Sequence, residues 1–220
     1  MRSTPLLIAP LALAAFTQAQ AATVADVFNG DMLGTNQRYF ESIAGIPRES
    51  VGDDHTFRIQ GCTLTATISN GSVTAMRLEL APSCQADLTS FIGDFAPAPG
   101  QPLTFGAFEQ AAGSALSYSA DCLTMCGNAY DPSVYAAWEG PRVVGFMEVR
   151  LEALQVGDAA IDAASAWSEQ MTKTMGEDWV IDGRFNCDTR FDQTASQLFQ
   201  NVPVTAVSIG TGLPGNHCEG

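Results

Sequence analysis

Positive charge is scarce in this 220-residue chain. One lysine, Lys173, and nine arginines stand against 24 acidic residues, for a formal net charge of -14. Like-charge repulsion on that scale excludes nucleic acid and anionic membrane surfaces as partners. It leaves room for a basic protein partner, for a cation, or for simple solubility. Histidine is as sparse, with only His55 and His217. A histidine-based triad would have to use one of them. His55 follows Asp53 and Asp54 where a strand opens, and His217 sits in the polar tail of residues 214–220. Solvation accounts for both. No Gly-x-Ser-x-Gly elbow, phosphate-binding glycine loop, dinucleotide fingerprint or EF-hand loop occurs. The sequence therefore offers no cofactor and no catalytic residue, and it leans away from an enzyme.

Long apolar runs are missing too. Residues 6–16 (LLIAPLALAAF) follow Arg2 and precede Ala19-Gln20-Ala21. Such a run is too short to span ~30 Å of hydrocarbon, and it has the layout of a cleavable export signal. Residues 1–21 read as that signal, with cleavage near Ala21/Ala22 and a periplasmic or secreted mature chain. Loss of Arg2 takes the net charge from -14 to -15. No later stretch is long enough for a membrane span, and no cysteine at the cleavage point offers a lipid anchor. Residues 22–220 read as one exported domain, with a possible subdivision at the proline-rich joint 94–102.

What is present is sulfur. Six cysteines in an exported chain, Cys62, Cys84, Cys122, Cys126, Cys187 and Cys218, imply a disulfide framework with fifteen possible connectivities. No Cys-x-x-Cys pair exists and imidazole is nearly absent, so a metal site is not expected. The favoured pair is Cys62 with Cys84. Cys122 and Cys126 are close enough for a tight ring, and Cys218 most simply pins the tail, to Cys187.

The apolar pattern gives the elements. Residues 22–45 read as a helix broken near Gly30 and Gly34 and stopped by Gly45 and Pro47. Residues 55–80 read as a hairpin. Cys62, Leu64, Ala66 and Ile68 share one face, and the register sets Leu64 opposite Leu78 and Ala66 opposite Met76. That register calls for a three-residue Asn70-Gly71-Ser72 loop with a bulge, and Gly61 for a second bulge upstream. Further on come a short helix at 105–112, a strand near 116–119 and a long strand carrying Met147, Val149, Leu151 and Ala153. A helix capped by Asp158 follows, with a stripe of Ile161, Ala164, Trp167, Met171 and Met175. A strand near 179–185, a helix introduced by Asp188 and a last strand at 202–209 complete the chain. Strands with one wet face, interspersed with helices, define an α+β class: an antiparallel sheet with helices packed mainly on one face, stapled by disulfides.

Two stretches could bind. A Cys122–Cys126 ring would hold Leu123 and Met125 in a rigid loop with little entropy left to lose. Downstream, Tyr130, Asp131, Tyr135, Trp138, Glu139 and Arg142 gather aromatics, carboxylates and a guanidinium, a mixture suited to sugar or peptide recognition. The preferred reading is a non-enzymatic binding or accessory protein that engages a basic partner, such as an envelope or lytic enzyme. A carboxylate-dependent hydrolase acting on saccharide or peptide is the rival, and a structural envelope component the third possibility. No feature sets an oligomeric state.

Overall fold

The chain opens on helical turns that its polar residues cap. The computed structural model describes residues 21–126 and 132–213. Thr23 and Asp26 form a reciprocal capping box at the start of α1 (Val24–Val27). A 3-10 turn at Gly30–Met32 follows, and Asn36 then caps α2 (Gln37–Ala44) by accepting from the Tyr39 N–H at 3.0 Å. Gly45, with φ at 88°, ends α2 as its freedom in the left-handed region permits.

Four strands come next: β1 (Glu49–Val51), β2 (Asp54–Ile59), β3 (Cys62–Ser69) and β4 (Ser72–Glu79). The pairs Leu64–Leu78 and Ala66–Met76 have the expected register. The loop differs from expectation. Ser69 pairs with Ser72 around a two-residue Asn70-Gly71 turn, both residues having positive φ, and the bulge sits further in, between Thr67 and Ile68. A tight Asn-Gly turn and the apolar register are thus both kept, because the extra residue moved into the ladder. Gly61 is not a bulge either. Gln60 and Gly61, both at positive φ, turn the chain between Ile59 and Cys62. Phe57 and Ile59 were out of phase with Cys62 because the strand reverses there.

Helices α3 (Thr89–Ile92) and α4 (Phe105–Ala112) flank a 3-10 turn at Gly93–Phe95 and the proline-rich joint. Next come β5 (Ser117–Ala120), β6 (Ser133–Glu139) and β7 (Glu148–Leu154), with a 3-10 turn at Arg142–Val144 before β7. The sequence reading gives no strand at 133–139, where β6 lies. α5 (Asp158–Met175) is capped at Gly157, whose backbone is extended, and Asp158 is its first helical residue instead of its cap. Ile161 leaves the expected stripe and is exposed; Ala160, Ala163, Ala164, Trp167, Ser168 and Met171 are the buried positions. Residues 179–185 are not a strand. α6 (Glu177–Ile181) and a 3-10 turn at Arg184–Cys187 occupy them, with Gly183 left-handed between. Glu177 and Asp178 sit in the first turn of α6, where the helix dipole favours acids. Asp188 caps a 3-10 turn at Thr189–Phe191 that leads into α7 (Asp192–Phe199), and β8 (Ala206–Gly210) is last.

The strands make one antiparallel sheet in the order β1-β2-β3-β4-β8-β7-β6-β5. The last strand enters the middle, so β8 joins the four amino-terminal strands to the three that follow the joint. One continuous buried row crosses seven strands: Phe57, Leu64, Leu78, Val207, Leu151, Ala136 and Tyr118. The aromatic side chains of the helices close over that face. Phe40 of α2 meets Phe57 edge-on at 5.2 Å, and Trp167 of α5 packs near Tyr118, Phe185 and Phe199 at 5.3 to 6.3 Å. Burial of this apolar layer is the main source of stability.

The disulfides complete the frame. Cys62 bonds Cys84, closing the open end of the β3–β4 hairpin, and Cys122 bonds Cys126. Cys187 is also disulfide-bonded; its expected partner Cys218 lies outside the described residues. Disulfides of this kind fit an oxidising environment. Among the described residues no helix is long and apolar enough to cross a membrane.

Candidate functional site

Residues 121–126 extend beyond the paired part of β5 and β6. The Asp121 N–H donates to the Ser133 carbonyl at 3.0 Å. In return, Asp121 Oδ2 accepts from the Ser133 N–H at 3.2 Å and from the Tyr135 hydroxyl at 2.9 Å. The two strands are thereby fastened at the base of the Cys122–Cys126 ring. Gln155, just past β7, adds a second tie: its Nε2 donates to the Cys122 carbonyl at 3.0 Å, and its backbone N–H donates to that of Pro132 at 2.9 Å. Leu123 turns back against the core. Met125 points out, 82% exposed, on a backbone with φ at 57°. A covalent ring of five residues can hold an L-residue there, where an open chain would relax.

The other face of the sheet carries polar side chains. Tyr135 and Arg150, on neighbouring strands β6 and β7, stack with the guanidinium carbon 3.6 Å from the ring centroid. Burial, reinforced by the Asp121 carboxylate, pushes the Tyr135 phenol up to about 12. Glu152 sits opposite Tyr135 in the β6–β7 ladder. It accepts from Arg77 at 2.8 and 3.1 Å and from the Ser133 hydroxyl at 2.9 Å. Burial disfavours the Arg77 charge, yet the Glu152 and Glu79 carboxylates together more than offset this and raise its affinity for the proton. A cavity of about 470 Å³ opens at this end of the polar face, lined by Asp121, Tyr135, Arg150, Asp182, Asn186 and Cys187.

The free edge of β5 is closed by side chains. Asn186 donates to the Ala120 carbonyl at 3.0 Å and accepts from its N–H at 2.8 Å, while Asp192 accepts from the Tyr118 N–H at 3.1 Å. Two side chains thus stand where another strand would pair, and they block edge-to-edge association at this side.

The structure divides the expected aromatic group. Tyr135, Trp138 and Glu139 lie on one strand, but Tyr135 and Trp138 are three residues apart and so face opposite ways. Trp138 is in the core, 5% exposed, edge-on to Phe108 at 5.9 Å, and its indole N–H donates to Ser114 at 3.0 Å. Glu139 and Arg142 are exposed at the far end of β6, roughly 20 Å from the ring by strand rise. Tyr130 and Asp131 fall outside the described residues. Met125, Leu123 and Tyr135 therefore share one end of the molecule, with Asp121 as the link that sequence reasoning overlooked. Arg150 was missed as well; only the β6–β7 register brings it to Tyr135.

An apolar groove of about 510 Å³, lined by Leu80, Pro82, Pro102, Leu103, Pro203 and Val204, lies where the proline-rich joint passes the lead-in to β8. Prolines 82, 102 and 203 were its only sequence signal. His55 is on β2, with Nδ1 3.0 Å from the Ser50 hydroxyl, and His217 is outside the described residues. Among the described residues no three His, Cys, Asp or Glu side chains converge as metal ligands. No protein-family model matches the chain, and neither a curated protein nor a solved structure shows significant similarity to it.

Proposed function

We propose that this is an exported, non-enzymatic binding protein that engages a basic protein partner through the Cys122–Cys126 ring, after loss of residues 1–21. The observation that supports it is the geometry of Met125. An exposed apolar side chain sits at the tip of a covalently closed loop that is tied to two strands. Such a tip loses little conformational entropy on contact, which lowers the ordering cost of binding. Charge gives the sign of the partner. With Arg2 removed, a surface with 15 excess negative charges speeds encounter with a basic protein at low salt. An inhibitor of a basic envelope or lytic enzyme is one concrete version.

The experiment places a photo-crosslinking residue at position 125 in the exported protein, with position 161 on α5 as control. The expected result is an adduct at 125 with a protein of net positive charge. Its affinity for the purified chain should fall at least tenfold between about 0.01 and 0.15 M salt, as the screening length drops from ~30 to ~8 Å. An affinity independent of salt, or adducts no more frequent at 125 than at 161, would contradict the proposal.

One observation favours a second reading. Asp121 and Asp182 line the same cavity beside Tyr135, the sort of paired carboxylates a glycosidase uses. Asp182 is engaged by Arg184 at 2.8 Å, which makes it a poor proton shuttle. Turnover of a saccharide substrate, abolished by Asp121→Asn, would establish the hydrolase instead.

A further inference from the structure

We infer that Met125 is a reversible oxidation site, whose sulfur takes up oxygen from a peroxide and turns the tip of the Cys122–Cys126 ring from apolar to polar. The first support is how differently the methionines are placed. Of the chain's seven methionines, six lie among the described residues. Met32, Met76 and Met171 are buried, and Met147 and Met175 pack half-buried against the core. Met175 Sδ also accepts from the Arg190 guanidinium at 3.4 Å, which occupies one of its lone pairs. Met125 alone among the six is open to solvent, at 82% exposure. Oxygen transfer to a thioether needs the oxidant to reach the sulfur, so susceptibility follows exposure.

The second support is the state of the other sulfurs. A thiolate would ordinarily intercept peroxide first. Among the described residues no cysteine is free: Cys62 pairs with Cys84 and Cys122 with Cys126, and Cys187 is bonded. Met125 is therefore the accessible reduced sulfur of the described chain. The ring keeps it so. Gln155 ties the Cys122 carbonyl to the end of β7, and Leu123 takes the inward position. The side chain two residues on is left facing water.

The step balances with hydrogen peroxide as oxidant. A lone pair on Sδ attacks one peroxide oxygen, the S–O bond forms as the O–O bond breaks, and the second oxygen leaves as water. The sulfur gives up two electrons and the peroxide takes them. A dithiol reverses the change: it loses two hydrogens and becomes a disulfide, and the sulfoxide oxygen departs as water. The product is a polar side chain with an acceptor oxygen where an apolar one stood. The consequence for recognition rests on the ring being the contact surface. A partner that covered the thioether would have to strip water from the sulfoxide oxygen, which costs affinity. Oxidation then switches the contact off, and reduction restores it.

The test treats the unreduced full chain with hydrogen peroxide and maps its peptides after quenching. Trypsin places the six described methionines on six separate peptides, Met125 on residues 78–142. That peptide should gain about 16 Da roughly ten times faster than any of the other five. Another methionine that reacts as fast overturns the proposal. Hydrophobic-interaction chromatography reads the tip without a partner. Oxidised wild type should elute earlier, whereas Met125→Leu, which keeps an apolar tip but no sulfur, should not shift. Equal shifts in the two would overturn a change of polarity at this position. The partner recovered by crosslinking should bind the oxidised chain about ten- to a hundredfold more weakly, the range for uncovering one large apolar side chain, and regain its affinity with a dithiol. An unchanged affinity overturns the switch. Recovery of no partner contradicts the binding reading instead, and the peptide rates then decide the oxidation site alone.

Discussion

Removing the two described disulfides one at a time should separate a structural staple from a functional one. In the chain-entropy picture the loss depends on the loop each bond closes. Cys62 and Cys84 are 22 residues apart and Cys122 and Cys126 are 4 apart. The same relation gives about 3.4 kcal/mol at 25 °C for the longer loop and about 1.9 kcal/mol for the ring. Alanine is the right replacement, because Cys62 and Cys84 are buried and serine would leave hydroxyls in the core. Truncating those two sulfurs adds roughly 1 kcal/mol of lost packing, which widens the gap. For a chain of this size the expected drop in Tm is about 9–18 °C for Cys62→Ala/Cys84→Ala and about 4–8 °C for Cys122→Ala/Cys126→Ala. Urea unfolding with a common m-value is the assay. Partner capture should show the reverse order, lost in the ring variant and retained in the staple variant below its Tm. A ring variant that loses as much stability as the staple variant while still binding would refute the reasoning.

Asp192 gives a pH dependence. Burial, with Asp188 adding to it, raises its carboxyl to about 6, against the hydrogen bond from the Tyr118 N–H that lowers it. The folded value lies above the unfolded ~3.9, so its contribution is full below that value and fades as pH rises through about 6. Relative to Asp192→Asn, the wild type should lose stability between about pH 4 and 7, modestly because the group is half exposed; a carboxyl resonance titrating near the unfolded value would contradict this. Glu152→Ala leaves Arg77 with Glu79 alone, strands the Ser133 hydroxyl and should cost roughly 2 kcal/mol in urea unfolding; a change within ~0.5 kcal/mol would show that the pair is not coupled to folding. Gly210→Ala puts a methyl 2.6 Å from the Ala75 Cα, in the centre of the sheet, and should cost about 1–3 kcal/mol. A neutral outcome would mean that β4 and β8 are less closely apposed than described.

Much of the frame was legible because local signals and burial agreed. The alternation in β3, β4 and β7 is nearly pure, so faces and register followed from the sequence, and Cys84 then had one sensible partner in Cys62. Where two local signals competed, as at Asn70-Gly71, the chain satisfied both by shifting the bulge, which pattern alone does not locate. Residues 179–185 looked extended because Trp179, Val180 and Ile181 favour strands. The acids at 177 and 178 and the packing of α6 on α5 outweigh that preference. The site was harder. The alternation Val134, Ala136, Trp138 was there to be read, and it would have sent Trp138 to the core and Tyr135 to the other face. The Tyr135–Arg150 stack and the cavity beneath it depend on strands separated by a turn of unpredictable length, and no local pattern reports them.

Everything about compartment and ring depends on sulfur chemistry, and intact mass of the native protein reads it directly. The account predicts a chain beginning at Ala22 whose mass rises by about 6 Da on reduction, two hydrogens for each of three bonds. A chain that keeps Met1, or one whose mass is unchanged by reductant, would contradict it.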